Sequence, residues 1–469
     1  MPAPKHEIYL LSPKQHSPET IAVAFAKTSR SPESFREIAA ELSDEQSAQF
    51  HEKWVVGYGH ASVAEHAVLH IAIENASRLA MEAIESNRLA SYTEKSTRYQ
   101  KWNLDNFHTP AELDGHPLRE EYVSTCRMLF ETYQKSLEPV RNLVEKQSPR
   151  RENESEEAWD RRIRSQYVDS CRFLLPAAAL ANVGMTANAR VLENAIRKWR
   201  SHSLAEVREI GETVKAVAQG EIPTLVKYAE PVEYLVETGK ALEEISKQGN
   251  RETGKPDDFC TLVNYDPDGE RKVLAAALYR FGNMSYRQAL ETVHSAETES
   301  LAHALLSRLA RFDTPLRELE HTFYTFDLLM DQGAYAEFKR HRMMTQTPQL
   351  QTAALGYATP RRIVEAGLGN QYHRAMQTAG ALWQKLYAFN PLVAQYIVPN
   401  GFNRRVLATF NLREAYAFCQ LRAAPNAHFS IRKISQRVAE EIRRVHPLLS
   451  KNMRLPAEPW QDIEKGYFA

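Results

Sequence analysis

Ser86–Tyr99 reads SNRLASYTEKSTRY, and Arg340–Thr352 reads RHRMMTQTPQLQT. The two stretches are versions of one text, each altered in a different half. Both follow a Glu-His pair, Glu65-His66 or Glu320-His321, by about twenty residues. The first keeps a tail of Glu94, Ser96 and Arg98, where the second has Pro348, Leu350 and Thr352. The second keeps a cationic head, Arg340-His341-Arg342, where the first begins Ser86-Asn87. Losses that complement each other point to one complete site divided between two copies.

The repetition extends well beyond these motifs. EIYLLSPKQHSPETIAVAFAK is an apolar run, a polar turn and then helical periodicity, and FCTLVNYDPDGERKVLAAALY repeats that order 252 residues later. The Glu-His pairs are 255 apart, and Arg88 and Arg342 are 254 apart. Ser170–Ala195 (SCRFLLPAAALANVGMTANARVLENA) then matches Ala394–Phe418 (AQYIVPNGFNRRVLATFNLREAYAF), with Asn188 and Asn411 only 223 apart. The first copy therefore carries roughly thirty extra residues, which fit the charged stretch Lys146–Arg164. So long a period signals domain duplication rather than a stacked array. The repeats are assigned to 1–246 and 259–469, joined by a Gly-, Pro- and charge-rich linker, Lys247–Asp258.

Helical periodicity is read over Ala24–Lys53, Glu120–Leu137, Glu157–Leu175, Val191–Val217, Gln371–Phe389 and Ile431–Val445. Alternation suits strands at Leu69–Ile73 and His321–Leu328. The expected fold is α+β: two tandem repeats, each a small antiparallel sheet flanked by long helices.

Composition narrows the function classes. The 59 basic and 59 acidic residues cancel, so no overall field draws the chain to nucleic acid or membrane. A local cationic pocket for one phosphate remains compatible with that balance. Mean hydropathy is −0.49 with 43% hydrophobic residues, enough to build globular cores. No secretory pattern opens the chain and no run of 18 apolar residues occurs, so neither export nor a spanning helix is expected. Cys126, Cys171, Cys260 and Cys419 are scattered, which suits a reducing compartment and a cytoplasmic protein. His60 and His66 are six apart, so a helix would point them to different faces, and no metal is expected. No Gly-rich dinucleotide fingerprint, P-loop or Ser-His-Asp arrangement is visible, and no cysteine has a nucleophile's setting.

Arginine forks suit phosphate and carbonyl pairs, and a Ser/Thr-rich loop adds hydroxyl and backbone donors. In this arrangement the motifs resemble the signature of the flavin-dependent thymidylate synthases: R-H-R, two residues, Ser or Thr, then Glu-x-Ser-x-Arg. The first copy agrees at Arg88, Ser91, Tyr92, Glu94, Ser96, Arg98 and Tyr99. The resemblance implies substrate contacts by Glu94, Ser96, Arg98, Arg172, Arg340 and Arg422. It implies flavin contacts by His60, Ser62, Glu65, Asn188, Arg190, Arg340, His341, Arg342, Asn411 and Arg413. Arg172 is retained only in the first copy, with Gln395 in its place in the second. The family's retained first-copy set and second-copy set come from neighbouring subunits of one site.

The implied reaction is reductive methylation of dUMP to dTMP, with FAD as cofactor and NADPH and methylenetetrahydrofolate as co-substrates. Arg98 and Arg422 would be catalytic, favouring negative charge on the base. A homodimer would form a pseudo-tetramer. Two other readings follow from the broken motifs: a noncatalytic nucleotide- or flavin-binding regulator or scaffold, and a flavin enzyme acting on another pyrimidine.

Overall fold

A computed structural model describes residues 9–28, 31–57, 61–100, 102–246, 258–293 and 298–469. The chain divides into two compact units, Met1–Lys95 with Leu180–Arg251, and Ser96–Ala179 with Glu252–Ala469. These units do not follow the repeats. The segment 96–179, from the middle of the first copy, is built into the unit that holds the second copy. The linker assigned to Lys247–Asp258 lies outside the described residues except for Asp258.

The first unit contains β1 (Val68–Ser77), β2 (Ser91–Glu94) and β3 (Leu180–Asn188), antiparallel in the order β1-β3-β2. The second contains β4 (Cys260–Tyr265), β5 (Phe323–Asp331), β6 (Thr345–Pro348) and β7 (Asn403–Asn411), in the order β4-β5-β7-β6. The α+β class is as read from sequence. Ser91 pairs with Thr186 and Glu94 with Val183, while Thr345 pairs with Thr409 and Pro348 with Val406. The two registers superpose at the sequence offsets. Alternation places Ala181, Val183, Met185 and Ala187 on the buried face of β3, and Arg404, Val406, Ala408 and Phe410 at the same places in β7.

One detail explains the offset falling from 255 to 254. β1 carries an extra residue between Ile73 and Ala76, opposite Val183 and Ala181. Asn75 accommodates this bulge at φ 57°, and its N–H donates to Asn182 Oδ1 at 3.0 Å. β5 runs through the same region against β7 without a break in register.

Each long strand ends on the residue that caps the next helix. Ser77 and Asp331 accept from the N–H groups of Ala80 and Ala334 at the starts of Arg78–Ile84 and Gln332–Phe338. Asn188 and Asn411 do the same for Ala189–Arg200 and Leu412–Arg422. The extra residues of the first copy lengthen two helices, Leu118–Gln147 and Glu156–Cys171, against Gly369–Phe389 and Pro391–Ala394 in the second.

Several element boundaries differ from the sequence reading, and three are informative. Val191–Val217 is two helices, because His202 Nδ1 accepts from Leu204 N–H and Ser201 Oγ donates back to Arg197 O. Ala24–Lys53 is broken by capping boxes at Ser34 and Ser43. The strand read from His321 starts at Phe323, since Arg317–His321 is a short 3-10 helix.

Within the second unit the two copies meet about an internal pseudo-twofold axis. Pro176 bridges Pro399, its own counterpart 223 residues on. Ala177 N–H donates to Val398 O at 3.0 Å, and Asn400 N–H donates to Leu175 O at 2.9 Å. Ala178 N–H donates to Tyr396 O at 2.8 Å, and Gly401 N–H to Phe173 O at 2.9 Å. Each of these four backbone bonds has its reciprocal, the hallmark of an isologous contact.

At Gly401 a methyl group would lie 2.6 Å from Tyr372 Oη and 2.8 Å from Met376 Cε. Gly401→Ala is therefore expected to destabilise by about 1–3 kcal/mol through overpacking, read as a lowered urea midpoint. The counterpart, Ala178, already carries that methyl in a buried position.

Candidate active site

The second unit gathers the retained arginines of both copies. Asp169, on helix Glu156–Cys171, grips Arg98 through two bonds, Nε to Oδ1 at 2.9 Å and Nη2 to Oδ2 at 2.7 Å. Arg172 Nη2 lies 3.1 Å from Asp169 Oδ1, and its Nη1 donates to Thr97 Oγ1 at 3.0 Å. One carboxylate thus fixes guanidiniums from two separate stretches. Burial alone would raise the Asp169 carboxyl, but Arg172, His428 and Arg98 outweigh it and hold it below the usual range.

A second ionic group stands in the same unit. Arg422, at the end of helix Leu412–Arg422, donates from Nη1 to Glu337 Oε2 at 2.8 Å and from Nε to His341 Nε2 at 3.0 Å. Because His341 Nε2 accepts, Nδ1 carries the proton and donates to Glu414 Oε1 at 2.8 Å. Burial lowers the Arg422 pKa, the neighbouring Arg340 charge lowers it further, and Glu337 opposes both.

His428 joins the two groups. Its N–H donates to Glu337 Oε1 at 3.3 Å, and its ring Nε2 lies 3.3 Å from the Asp169 carbonyl oxygen. A hydrogen-bonded path therefore runs from Glu414 through His341, Arg422, Glu337, His428 and Asp169 to Arg98 and Arg172.

The counterpart positions are neutral. Where the second copy has Glu337, His341, Glu414 and Arg422, the first has Ala83, Asn87, Val191 and Trp199. Trp199 Nε1 donates to Ala83 O at 3.2 Å, and Asn87 Oδ1 accepts from Lys198 Nζ at 3.1 Å. Where the first copy has Thr97, Arg98, Asp169 and Arg172, the second has Gln351, Thr352, Leu392 and Gln395. There Gln395 Oε1 accepts from Gln351 N–H at 3.1 Å, and its Nε2 donates to Leu392 O at 3.3 Å. At these positions each lost half carries uncharged side chains, with Lys198 donating to Asn87 in the first.

The remaining sequence-derived residues are placed differently. Glu94 lies in the first unit, where its Oε1 accepts from Arg78 Nη1 at 3.0 Å. Ser96 is exposed, and its Oγ accepts from Arg98 N–H at 3.3 Å. Arg340 is exposed and Arg342 half-buried. His341 is expected from the resemblance to meet the flavin, yet both its ring nitrogens are engaged in orienting Arg422. Asn188 and Asn411 are helix caps. Arg190 pairs with Glu65 at 2.5 Å and Arg413 with the equivalent Glu320 at 2.9 Å. These caps and ion pairs are present in both copies.

Ser62 and Glu65 line a cavity of about 700 Å³ in the first unit, with Phe25, Phe50, Trp54 and His66. His60 lies outside the described residues. Among those described, no group of three His, Cys, Asp or Glu side chains is placed to hold a metal, and no helix is long and apolar enough to cross a membrane.

Asp169, Glu337, Glu414 and His428 were not picked out from the sequence. For three of them the signal was available in the repeats themselves, as charged residues aligned with Leu392, Ala83 and Val191; His428 matches Leu204 only as the N-cap of the corresponding helix.

The family model described as thymidylate synthase complementing protein matches residues 10–224 and again 261–448. The chain belongs to this family. Each matched segment holds one copy of the broken motif. The UPF0159 protein of Chlamydia muridarum is 32% identical over 427 residues, covering 87% of this chain and 80% of its own length. The flavin-dependent thymidylate synthase of Clostridium tetani is 28% identical over 223 residues, covering 46% of this chain and 83% of its own. Among solved structures, the Helicobacter pylori flavin-dependent thymidylate synthase ThyX, complexed with FAD and dUMP, is 17% identical. It covers 42% of this chain and 100% of its own, with a TM-score of 0.32. The thymidylate synthase complementing family is thus present here twice in one chain.

Proposed function

We propose that the protein binds dUMP and FAD at one composite site per chain and methylates the nucleotide reductively to dTMP. Methylenetetrahydrofolate would be the carbon donor and NADPH the reductant. The observation that carries this reading is the continuous hydrogen-bonded path between the retained arginines of the two copies. Three guanidiniums, Arg98, Arg172 and Arg422, share that path with three carboxylates, Asp169, Glu337 and Glu414, and the neighbouring Arg340 adds positive charge beside it. Such a donor set suits a phosphate-bearing nucleotide.

Arg98 and Arg172 would hold the phosphate. Arg422, pre-aligned by His341 and Glu337, would favour negative charge on the uracil. A bound flavin would supply reducing equivalents. The exposed Arg340 and the half-buried Arg342 would be the head residues to meet it, from outside the path. The neutral rebuilding of the counterpart positions supports one site per chain instead of two. Two chains would then assemble the equivalent of the family's tetramer.

Flavin fluorescence quenching and a dUMP titration test this. The purified protein is expected to quench FAD and to bind one dUMP per chain; failure to bind either at micromolar concentrations would defeat the proposal. Flavin binding without NADPH-dependent bleaching would instead favour a noncatalytic nucleotide-binding descendant. Arg98→Ala is expected to weaken dUMP binding by about 1.5–3 kcal/mol, at least about tenfold, while flavin affinity changes little. Thr352→Ala, at the counterpart position, should be nearly silent.

A further inference from the structure

Glu414, Phe418 and Arg422 stand four residues apart on helix Leu412–Arg422, which sets them in one row along its surface. The His341 ring lies along that row. Its Nδ1 meets Glu414 Oε1 at 2.8 Å, its Nε2 meets Arg422 Nε at 3.0 Å, and it packs T-shaped on Phe418 at 5.0 Å. The main chain of His341 is pinned as well, since Gln346 Nε2, on β6, donates to its carbonyl oxygen at 2.9 Å. His341 is only 8% exposed, so solvent offers its nitrogens little else. The counterpart row in the first copy is Val191, Ala195 and Trp199, and the head residue there is Asn87. None of those four titrates.

A guanidinium cannot accept a hydrogen bond, so His341 Nε2 is the acceptor and the single ring proton sits on Nδ1, facing Glu414. The contact with Arg422 therefore exists only for the neutral imidazole. A proton taken from solvent onto Nε2 removes the acceptor and sets a cation against a guanidinium. Arg422 is then left to Glu337, which holds Nη1 at 2.8 Å. The charges about the ring are Glu414 and Arg422 on the helix, Arg340 and Arg342 beside it in the chain, and Glu337 across Arg422. Nη2 of Arg422 donates to no described residue, so that edge of the fork stays open.

We infer that Glu414 and His341 are positioning residues for Arg422, and that together they make nucleotide affinity at this site proton-sensitive. Glu414 selects the tautomer of His341. That tautomer fixes the angle at which the Arg422 fork is presented, with Nη2 as the edge offered to the ligand. A second proton on the ring undoes the alignment. The inference deepens the proposed function and rests on it, because it takes dUMP as the occupant.

Imidazole is the side chain that ordinarily changes charge between about pH 5 and 8, so dUMP affinity is to be titrated across that range. A phosphate monoester also gains a proton there, at about pH 6, so the shapes of three profiles are compared. In Glu414→Gln the amide oxygen still accepts from Nδ1–H, but the charge that favours an imidazolium is gone. In His341→Gln the amide offers an acceptor and a donor at every pH and takes no second proton. Between about pH 8 and 5, wild type is expected to lose about tenfold more affinity than His341→Gln does. Glu414→Gln should show the same extra loss displaced to lower pH; if His341→Gln does not fold, that displacement alone decides. Profiles of one shape that differ only in level, or a Glu414→Gln profile that is not displaced, would make the pair purely structural and overturn the inference while dUMP binding stands. Absence of dUMP binding by wild type at every pH overturns the proposed function and this inference with it.

Discussion

Asp169→Asn is expected to abolish measurable dUMP binding and to destabilise the second unit by about 3–5 kcal/mol near neutral pH, the usual effect of removing one partner from a buried ion pair. The carboxylate is buried and serves two guanidiniums, Arg98 at 2.7 Å and Arg172 at 3.1 Å. Asparagine preserves the shape but leaves both cations without their counter-charge and breaks the bidentate fork. The loss should depend on pH in a defined direction. The folded Asp169 carboxyl is held below its ordinary value, so its contribution is complete above the unfolded carboxylate range and fades as pH falls through the folded pKa.

The wild-type and Asp169→Asn stability curves should therefore converge in acid. His428 acts in a higher window. Its folded pKa of about 4 lies below the ordinary 6.5, so the unfolded chain binds more protons between those values and stability falls as pH drops through them. Urea unfolding followed from neutral to acid pH checks both directions. A Asp169→Asn difference that grows in acid would contradict the electrostatic account.

Much of this arrangement was legible from the chain because duplication supplies an internal comparison. SYTE and TQTP, 254 residues apart, and Asn188 and Asn411, 223 apart, were matched in sequence, although their roles as the short strands β2 and β6 and as helix caps were not read there. The change in offset from 255 to 254 was visible in the Glu-His and Arg pairs, but its cause, a bulge at Asn75, depends on strand register. The compact units were not legible. Segment 96–179 is continuous with the first copy in sequence, yet the reciprocal bonds about Pro176 and Pro399 commit it to the second.

The site's anchors escaped for a related reason. Asp169 is 71 residues from Arg98, and Glu337 is 85 from Arg422, and no local spacing links members of such pairs. The resemblance drew notice to Asn188, Arg190, Asn411 and Arg413, which the structure engages in caps and ion pairs in both copies. If the proposed site is correct, residues charged in one copy and neutral in the other mark it.

That rule separates two counterpart residues by experiment. Arg422 and Trp199 occupy equivalent places, one inside the ionic path and one in uncharged packing. Arg422→Ala should weaken dUMP binding by more than about tenfold, since a charge-assisted contact of about 1.5–3 kcal/mol is lost. Trp199→Ala should do the reverse. Its indole is among the largest fully buried side chains, and truncation should lower stability by about 3–5 kcal/mol. Trp199→Phe, which keeps the ring and loses the bond to Ala83, provides a folded variant whose dUMP affinity should equal that of wild type. Urea unfolding and dUMP titration on the same samples give both readouts. If Trp199→Phe loses dUMP affinity as Arg422→Ala does, the first copy's head still serves a ligand, and a single site per chain is untenable. If the two effects separate, the duplication has divided the labour: the charge pattern binds in one copy, and its apolar replacement holds the fold in the other.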